Sequence, residues 1–179
     1  MGHKHDHGTL LAAAVEFVEA NGLSRFSFGR LAKHVGIADR TIVYYFPTKD
    51  QLVTEVLEAI SGRLLAQLAQ ALGEQPLPRI ELLKAAWPVL TSPESEPTFR
   101  VFLELGGLAA SRIEPYAAIT REIFLGWHAW LATLVAASTS SRRSNDAAVL
   151  IAQIDGLMLM RMAGDPGMAQ QAYRQFVKQ

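Results

Sequence analysis

Arg40, Thr41, Tyr44, Tyr45 and Lys49 fall within ten residues of one another. A guanidinium, a hydroxyl, two phenols and an ammonium at that spacing suit the phosphates and base edges of a nucleic acid. They lie in residues 26–52, FSFGRLAKHVGIADRTIVYYFPTKDQL, whose punctuation defines helices. Ser27 is an N-cap for a short helix with Leu31, Ala32 and Val35 on one face. Gly36 stands where that helix must stop, because the left-handed conformation past a helix end is cheapest for glycine. Ile37 can plug the corner. A second helix, Asp39–Tyr45, turns Ile42 inward and leaves Arg40, Thr41 and Tyr44 on other faces. Pro47 ends it, and Thr48 with Asp50 caps a longer helix starting near Lys49. Two short helices joined by a tight glycine turn form a unit whose second helix can enter a DNA major groove.

This stretch resembles the DNA-binding end of the TetR family of bacterial transcriptional repressors. The family's pattern is roughly a Thr/Ser cap, IA, G-V-S, T-L-Y-x-Y-F and P-S-K-x-x-L. The chain offers Ser27, then Leu31 and Ala32, then Gly36, Ile37 and Ala38, then TIVYYF from Thr41 and PTKDQL from Pro47. The match covers about the first third of the chain. Beyond it, the resemblance rests on an all-helical layout and on Ile154, Asp155, Gly156 and Leu157, a short pattern common in the family's penultimate helix. Three positions depart. Ala38 stands where a hydroxyl cap is usual, Asp39 where Lys, Arg or Gln is common, and Val43 where a tyrosine usually contacts phosphate. An outward Asp39 would be repelled by phosphate unless it accepts from a cytosine amino group or caps its own helix. The resemblance implies a palindromic double-stranded DNA operator, a homodimer and a small-molecule effector that releases a repressor. Arg40, Thr41 and Tyr44 would then meet base edges and nearby phosphates, with Ser27, Tyr45 and Lys49 on the backbone and Asp39 beside them.

The formal net charge of the 179 residues is zero, so any basic footprint must be local. The first fifty residues carry a formal charge of only +1, to which His3, His5, His7 and His34 could add partial positive charge. The alternate spacing of His3, His5 and His7 does not put three ligands on one helix face, so MGHKHDH reads as a flexible tail or cloning remnant, and no metal or cofactor is expected. Without cysteine there is neither a disulfide framework nor a thiolate site, and a reducing compartment is compatible. The polar N-terminus is no signal peptide, and no apolar run approaches the ~18 residues of a membrane span. A cytoplasmic protein without a membrane anchor is the expectation. HExxH, GxSxG, a phosphate-binding glycine loop and CxxC are all missing, and Glu104, Glu114, Glu122 and Asp155 have no carboxylate partner at helical spacing. Catalysis has no support.

The elements that must position these groups are all helical. Thr9 can cap a first helix over 10–21. Lys49–Leu72 keeps helical apolar spacing, 73–78 is a break, and Arg79–Leu90 is a shorter helix. A loop over 91–97 precedes helices over 98–111, 116–138 and 145–163, with 138–144 an exposed, partly disordered loop and 168–178 a last helix. The fold class is therefore all-α: an N-terminal three-helix helix-turn-helix head (residues 1–48) and a C-terminal helical-bundle ligand and dimerisation body (residues 49–179).

That body is too apolar for solvent-facing helices alone. Its aromatic residues can be packed core, or Trp87, Phe99, Phe102, Phe124, Trp127 and Trp130 can line a cavity with His128 or Arg121 as a polar handle, suited to a small apolar or aromatic effector. Gly106 and Gly107 inside a helix suggest close helix contact or room for a ligand. Residues 147–162 are apolar on more than one face, which means either burial inside one chain or cover by a second subunit. The second reading assigns Ile151, Ile154, Gly156, Leu157, Met158, Met162 and Phe176 to a homodimer interface. The competing class is a helical-bundle enzyme or carrier for an apolar small molecule that binds no DNA.

Overall fold

Asp6 accepts a hydrogen bond from the Thr9 amide at 2.7 Å and so starts the first helix, α1 (His7–Asn21), three residues before the expected start at Leu10. Asp6 rather than Thr9 is the cap, because its carboxylate reaches the orphan amide of the first turn. This computed structural model describes residues 6–178, so His3 and His5 lie outside the described residues. His7 does not hang in a tail: its ring lies 4.6 Å from that of Phe46 and its Nε2 is 2.9 Å from Glu55.

The helices that follow are α2 (Phe28–Val35), α3 (Asp39–Tyr45), α4 (Lys49–Leu72), α5 (Arg79–Leu90), α6 (Glu96–Ala110), α7 (Tyr116–Leu134), α8 (Ser140–Ala163) and α9 (Pro166–Phe176). The described residues are helical throughout, save for turns and one isolated bridge between Leu77 and Val135. They form two compact units. The first holds the residues up to Arg63 together with Arg100–Thr120, and the second holds Leu64–Phe99 together with the residues from Arg121 onward.

In the first unit, Ser27 Oγ accepts from the Arg30 amide at 3.3 Å and begins α2, as expected. Gly36 ends it in the left-handed region, with φ 78°, and the Gly36 and Ile37 amides both donate to Ala32 O. α1 buries Leu10, Ala14, Phe17 and Val18 against Phe26, Leu31, Ala32, Ile42 and Phe46, and α4 adds Leu52, Val53, Val56, Leu57 and Ile60. Arg63 pairs with Glu19 of α1. From α6, Glu104 accepts hydrogen bonds from the Leu23 and Ser24 amides.

The second unit packs α5, through Leu82, Leu83, Ala86, Trp87 and Leu90, with α8, through Ala147, Leu150, Leu157 and Met158, and α9 lies along α8. Several helix bounds differ from the expected ones. α6 starts at Glu96 because Pro97 fits a first turn, where its missing N–H has no partner to lose. α7 stops at Leu134, not 138. The Leu77 amide donates to Leu134 O at 2.8 Å and the Ala136 amide to Leu77 O at 2.9 Å, which draws the chain out of the helix. α8 begins at Ser140, inside the expected loop, because Thr139 Oγ1 accepts from the Arg142 amide at 3.2 Å. α9 begins at Pro166, capped by Asp165, whose Oδ1 accepts from the Gly167 amide at 2.6 Å. Among the described residues no helix is long and apolar enough to cross a membrane.

A Cβ added at Gly36 would meet nothing within 4 Å, so only the backbone conformation demands glycine there. Gly36→Ala should therefore cost about 1 kcal/mol, and Gly36→Asn less, in thermal unfolding.

Candidate nucleic-acid interface

Ile42 and Phe46 are fully buried, and this sets which side of α3 faces outward. Tyr44 is 80% exposed and Val43 42% exposed, with Arg40 exposed beside them. Thr41 and Tyr45 are half-buried, and the Tyr45 ring stands edge-on to Tyr44 at 5.0 Å. Lys49 is exposed at the first position of α4, whose start is capped by Thr48 Oγ1 accepting from the Gln51 amide at 3.1 Å. Ser27 is half-buried and engaged as the α2 cap, yet its hydroxyl can still donate to an anion. One face thus carries a guanidinium, a phenol and an isopropyl group, with an ammonium one short turn away. Arg and Tyr can bond base edges or phosphates, whereas Val43 offers only apolar contact of the kind a thymine methyl accepts.

Asp39 is exposed at the start of α3. A Cβ on Gly29 would lie 3.2 Å from Asp39 Oδ2, so the carboxylate is turned toward the first turn of α2. Anions are favoured at a helix N-terminus, so that location suits the acid. No side chain caps α3, since Ala38 stands at its N-cap.

In the second unit the expected pocket residues divide. Trp87 is buried and stacked on Tyr173, with ring centroids 4.5 Å apart, and its indole N–H donates to Gln170 Oε1 at 3.2 Å. One face of the ring and its polar edge are thus engaged with α9. Phe99 is buried. Phe102 is half-buried and belongs to the first unit. Trp127 and Trp130 are half-buried and stand edge-on to each other at 5.9 Å. His128 Nε2 lies 2.9 Å from Ser144 O, which requires it to donate, so the ring braces the start of α8. Phe124, 46% exposed, lies with His128, Arg121 and Leu125 of α7 and Ala148 and Ile151 of α8 around an open, mainly apolar groove of about 360 Å³. In the first unit the Thr120 hydroxyl of α7 is buried without a hydrogen-bond partner among the described residues. Sequence offers no signal for that.

The expected dimer residues also divide. Leu157 and Met158 are buried within the single chain, which corrects their assignment: the chain's own core already covers them. Ile151, Ile154, Met162 and Phe176 are half-buried and Gly156 is exposed. Outward on α8 stand Ala152, Asp155 and Leu159, the last 52% exposed, a residue that sequence reading left out of the interface. Asp155 is open to solvent on one side and crowded by protein on the other, and this desolvation pushes its carboxyl up to about 6. Tyr116, in the first unit, is also raised, by burial first and then by the charges of Glu104 and Asp50. Among the described residues no three His, Cys, Asp or Glu side chains converge as a metal site.

Residues 10–56 match the model of the bacterial regulatory proteins of the tetR family. The chain is 27% identical over 66 residues to the Fatty acid metabolism regulator protein of Bacillus subtilis, a match spanning 37% of this chain and 34% of that protein's own length. Over nearly the whole chain the likeness is one of fold. A transcriptional regulator from Rhodococcus sp. Rha1 superposes with a TM-score of 0.76 at 24% identity, covering 97% of this chain and 95% of that one. A transcriptional regulator from Saccharomonospora viridis, in complex with choline, does so with a TM-score of 0.72 at 18% identity, covering 96% and 93%. The head of the chain, residues 10–56, is thus matched by the tetR-family model, and its all-helical body shares the fold of these regulators.

Proposed function

We propose that this chain is a transcriptional repressor that binds a palindromic DNA operator as a homodimer and is released by a small apolar or aromatic effector. The observation that carries the DNA-binding half is the outward face of α3, where Arg40, Val43 and Tyr44 stand exposed over the sealed Ile42 and Phe46. Residues 1–48 form the reading domain in this view, and residues 49–179 the ligand and dimerisation domain. Arg40, Thr41 and Tyr44 contact base edges and nearby phosphates, and Ser27, Tyr45 and Lys49 fix the backbone register. Asp39 stands exposed beside them, near the first turn of α2.

Support for a dimer comes from the second unit. Phe124 and Leu125 of α7 adjoin Ala148 and Ile151 of α8, and the α8 stripe continues through Ala152, Gly156 and Leu159. Exposed apolar surface of this kind mostly marks an interface. A second copy covers it and, by two-fold symmetry, gives two heads for two half-sites. Support for an effector is the half-buried Trp127 and Trp130 of the second unit and the choline held by a protein of the same fold.

Selection from a random duplex pool followed by titration across salt tests the DNA-binding reading. Tyr44→Ala should weaken operator binding about tenfold or more while leaving the unfolding temperature unchanged, as expected for an exposed side chain. Lys49→Ala should also lower the salt slope by about one unit per protomer, the mark of a lost phosphate contact. Unchanged affinity in both variants overturns the docking of α3. An effector would be recognised in the same titration as a compound that lowers operator affinity.

The dimer face has its own test. Leu159→Glu should yield folded monomers in sedimentation, whereas Leu157→Glu should lose the fold by burying an unpaired charge. A wild-type chain that is monomeric at micromolar concentration would remove this interface.

Asp155 adds a pH dependence. Its carboxyl holds the proton more tightly in the folded chain, at about 6, than at its ordinary value of 3.8. The group is neutral to stability below about pH 4, and stability falls as pH rises toward about 6. Asp155→Asn should therefore be more stable than the wild type at pH 7 and equal to it near pH 3.5 in thermal unfolding.

A further inference from the structure

We infer that Glu104 is the positioning residue through which α6 holds the helix-turn-helix, an inference that rests on the DNA-binding reading above. Both carboxylate oxygens are committed to the α1–α2 corner: Oε2 accepts from the Leu23 amide and Oε1 from the Ser24 amide, each at 2.7 Å. The contact spans about eighty residues of sequence and satisfies two backbone donors with charge-assisted bonds. Ser24 lies three residues before Ser27, the cap of α2, so the clamp acts where the reading unit begins.

The corner is shaped for this carboxylate. Gly22 has φ +83°, and a Cβ there would come within 2.7 Å of Glu104 Oε2. Glycine is thus favoured by its conformation, and a larger residue would also push the Glu104 carboxylate from its place. The helix dipole does not explain the acid's presence. Gly22 caps the C-terminus of α1, donating to Val18 O at 2.8 Å, and an anion at a helix C-terminus is disfavoured. The two amides hold it there against that field.

α6 is also soft just beyond Glu104. Gly106 and Gly107 are exposed, and a Cβ at either would meet nothing within 4 Å, so packing does not demand the pair. Room, rather than close helix contact, surrounds them. Adjacent glycines weaken a helix and let it bend. A bend there moves the Glu104 carboxylate and, with it, the start of the reading unit.

The test uses the selected operator, Glu104→Gln, Glu104→Ala and Gly22→Ala in the full chain, with amide hydrogen exchange as a second readout. Glu104→Gln is nearly isosteric, but its NH2 opposes one of the two amides. The expected result is faster exchange at Leu23 and Ser24 and about tenfold weaker operator binding in both Glu104 variants. The salt slope and the sedimentation coefficient should stay unchanged, since no phosphate contact or dimer contact is removed. Gly22→Ala should reproduce the loss of operator affinity and add little to that loss in the Glu104→Ala background, while its positive φ lowers the unfolding temperature in both backgrounds. Faster exchange at Leu23 and Ser24 with wild-type operator affinity would overturn the inference and leave Glu104 as a structural cap. Failure of the wild-type chain to bind any duplex would reject the DNA-binding reading itself, and this inference with it.

Discussion

The constraint on which the head depends is the burial of Ile42 and Phe46 against Leu31, Ala32 and Phe26. α3 is only seven residues long, too short to be stable in isolation, so its apolar contacts and not its propensity hold it helical. Once Ile42 is sealed, the helical period dictates the rest. Arg40, Val43 and Tyr44 must lie outside, and Thr41 and Tyr45 at the margins. An exposed phenol and an exposed valine are thereby kept on a surface where solvent gives no reason for them.

Local rules alone do not place this unit. Ser27, Gly36 and Thr48 define the helix ends by hydrogen bonds within three or four residues. The corner before α2, however, is held by Glu104 from α6 and by the tilted and edge-on ring contacts of Phe17 with Phe26 and His34. His7 and Glu19 of α1 reach Glu55 and Arg63 of α4. Exposed pairs of this kind contribute little stability each, but they fix which side of α1 faces α4.

α8 shows how one helix serves two environments. Its apolar residues exceed what one core can cover, and the structure divides them. Ala147, Leu150, Leu157 and Met158 turn to α5 and α9, while Ala152, Gly156 and Leu159 turn outward with Asp155 among them. A carboxyl kept on so apolar a stripe is desolvated, and its raised pKa follows from that setting. On α7 the same division sends Phe124 to the groove with α8 and leaves Trp127 and Trp130 half-buried.

Much of the local structure was legible in the residues themselves. The bounds of α3, α4 and α5, the Ser27 cap and the Gly36 stop follow from periodicity, capping chemistry and the left-handed preference of glycine, which all act within a few residues. The outward face of α3 was equally legible, because Ile42 alone has to go in. The ends of α7 and α8 were not: the first is decided by the bridge to Leu77, and the second by Thr139, a cap inside a polar run that resembles a loop. The roles of Trp87, Leu157 and Met158 were also out of reach. An aromatic residue lines a cavity or fills a core, and an apolar helix faces its own chain or another, according to partners distant in sequence. Gly22 and Glu104 make the same point, since a glycine turn reads as a helix stop until the carboxylate that needs its missing side chain is brought to it by the fold.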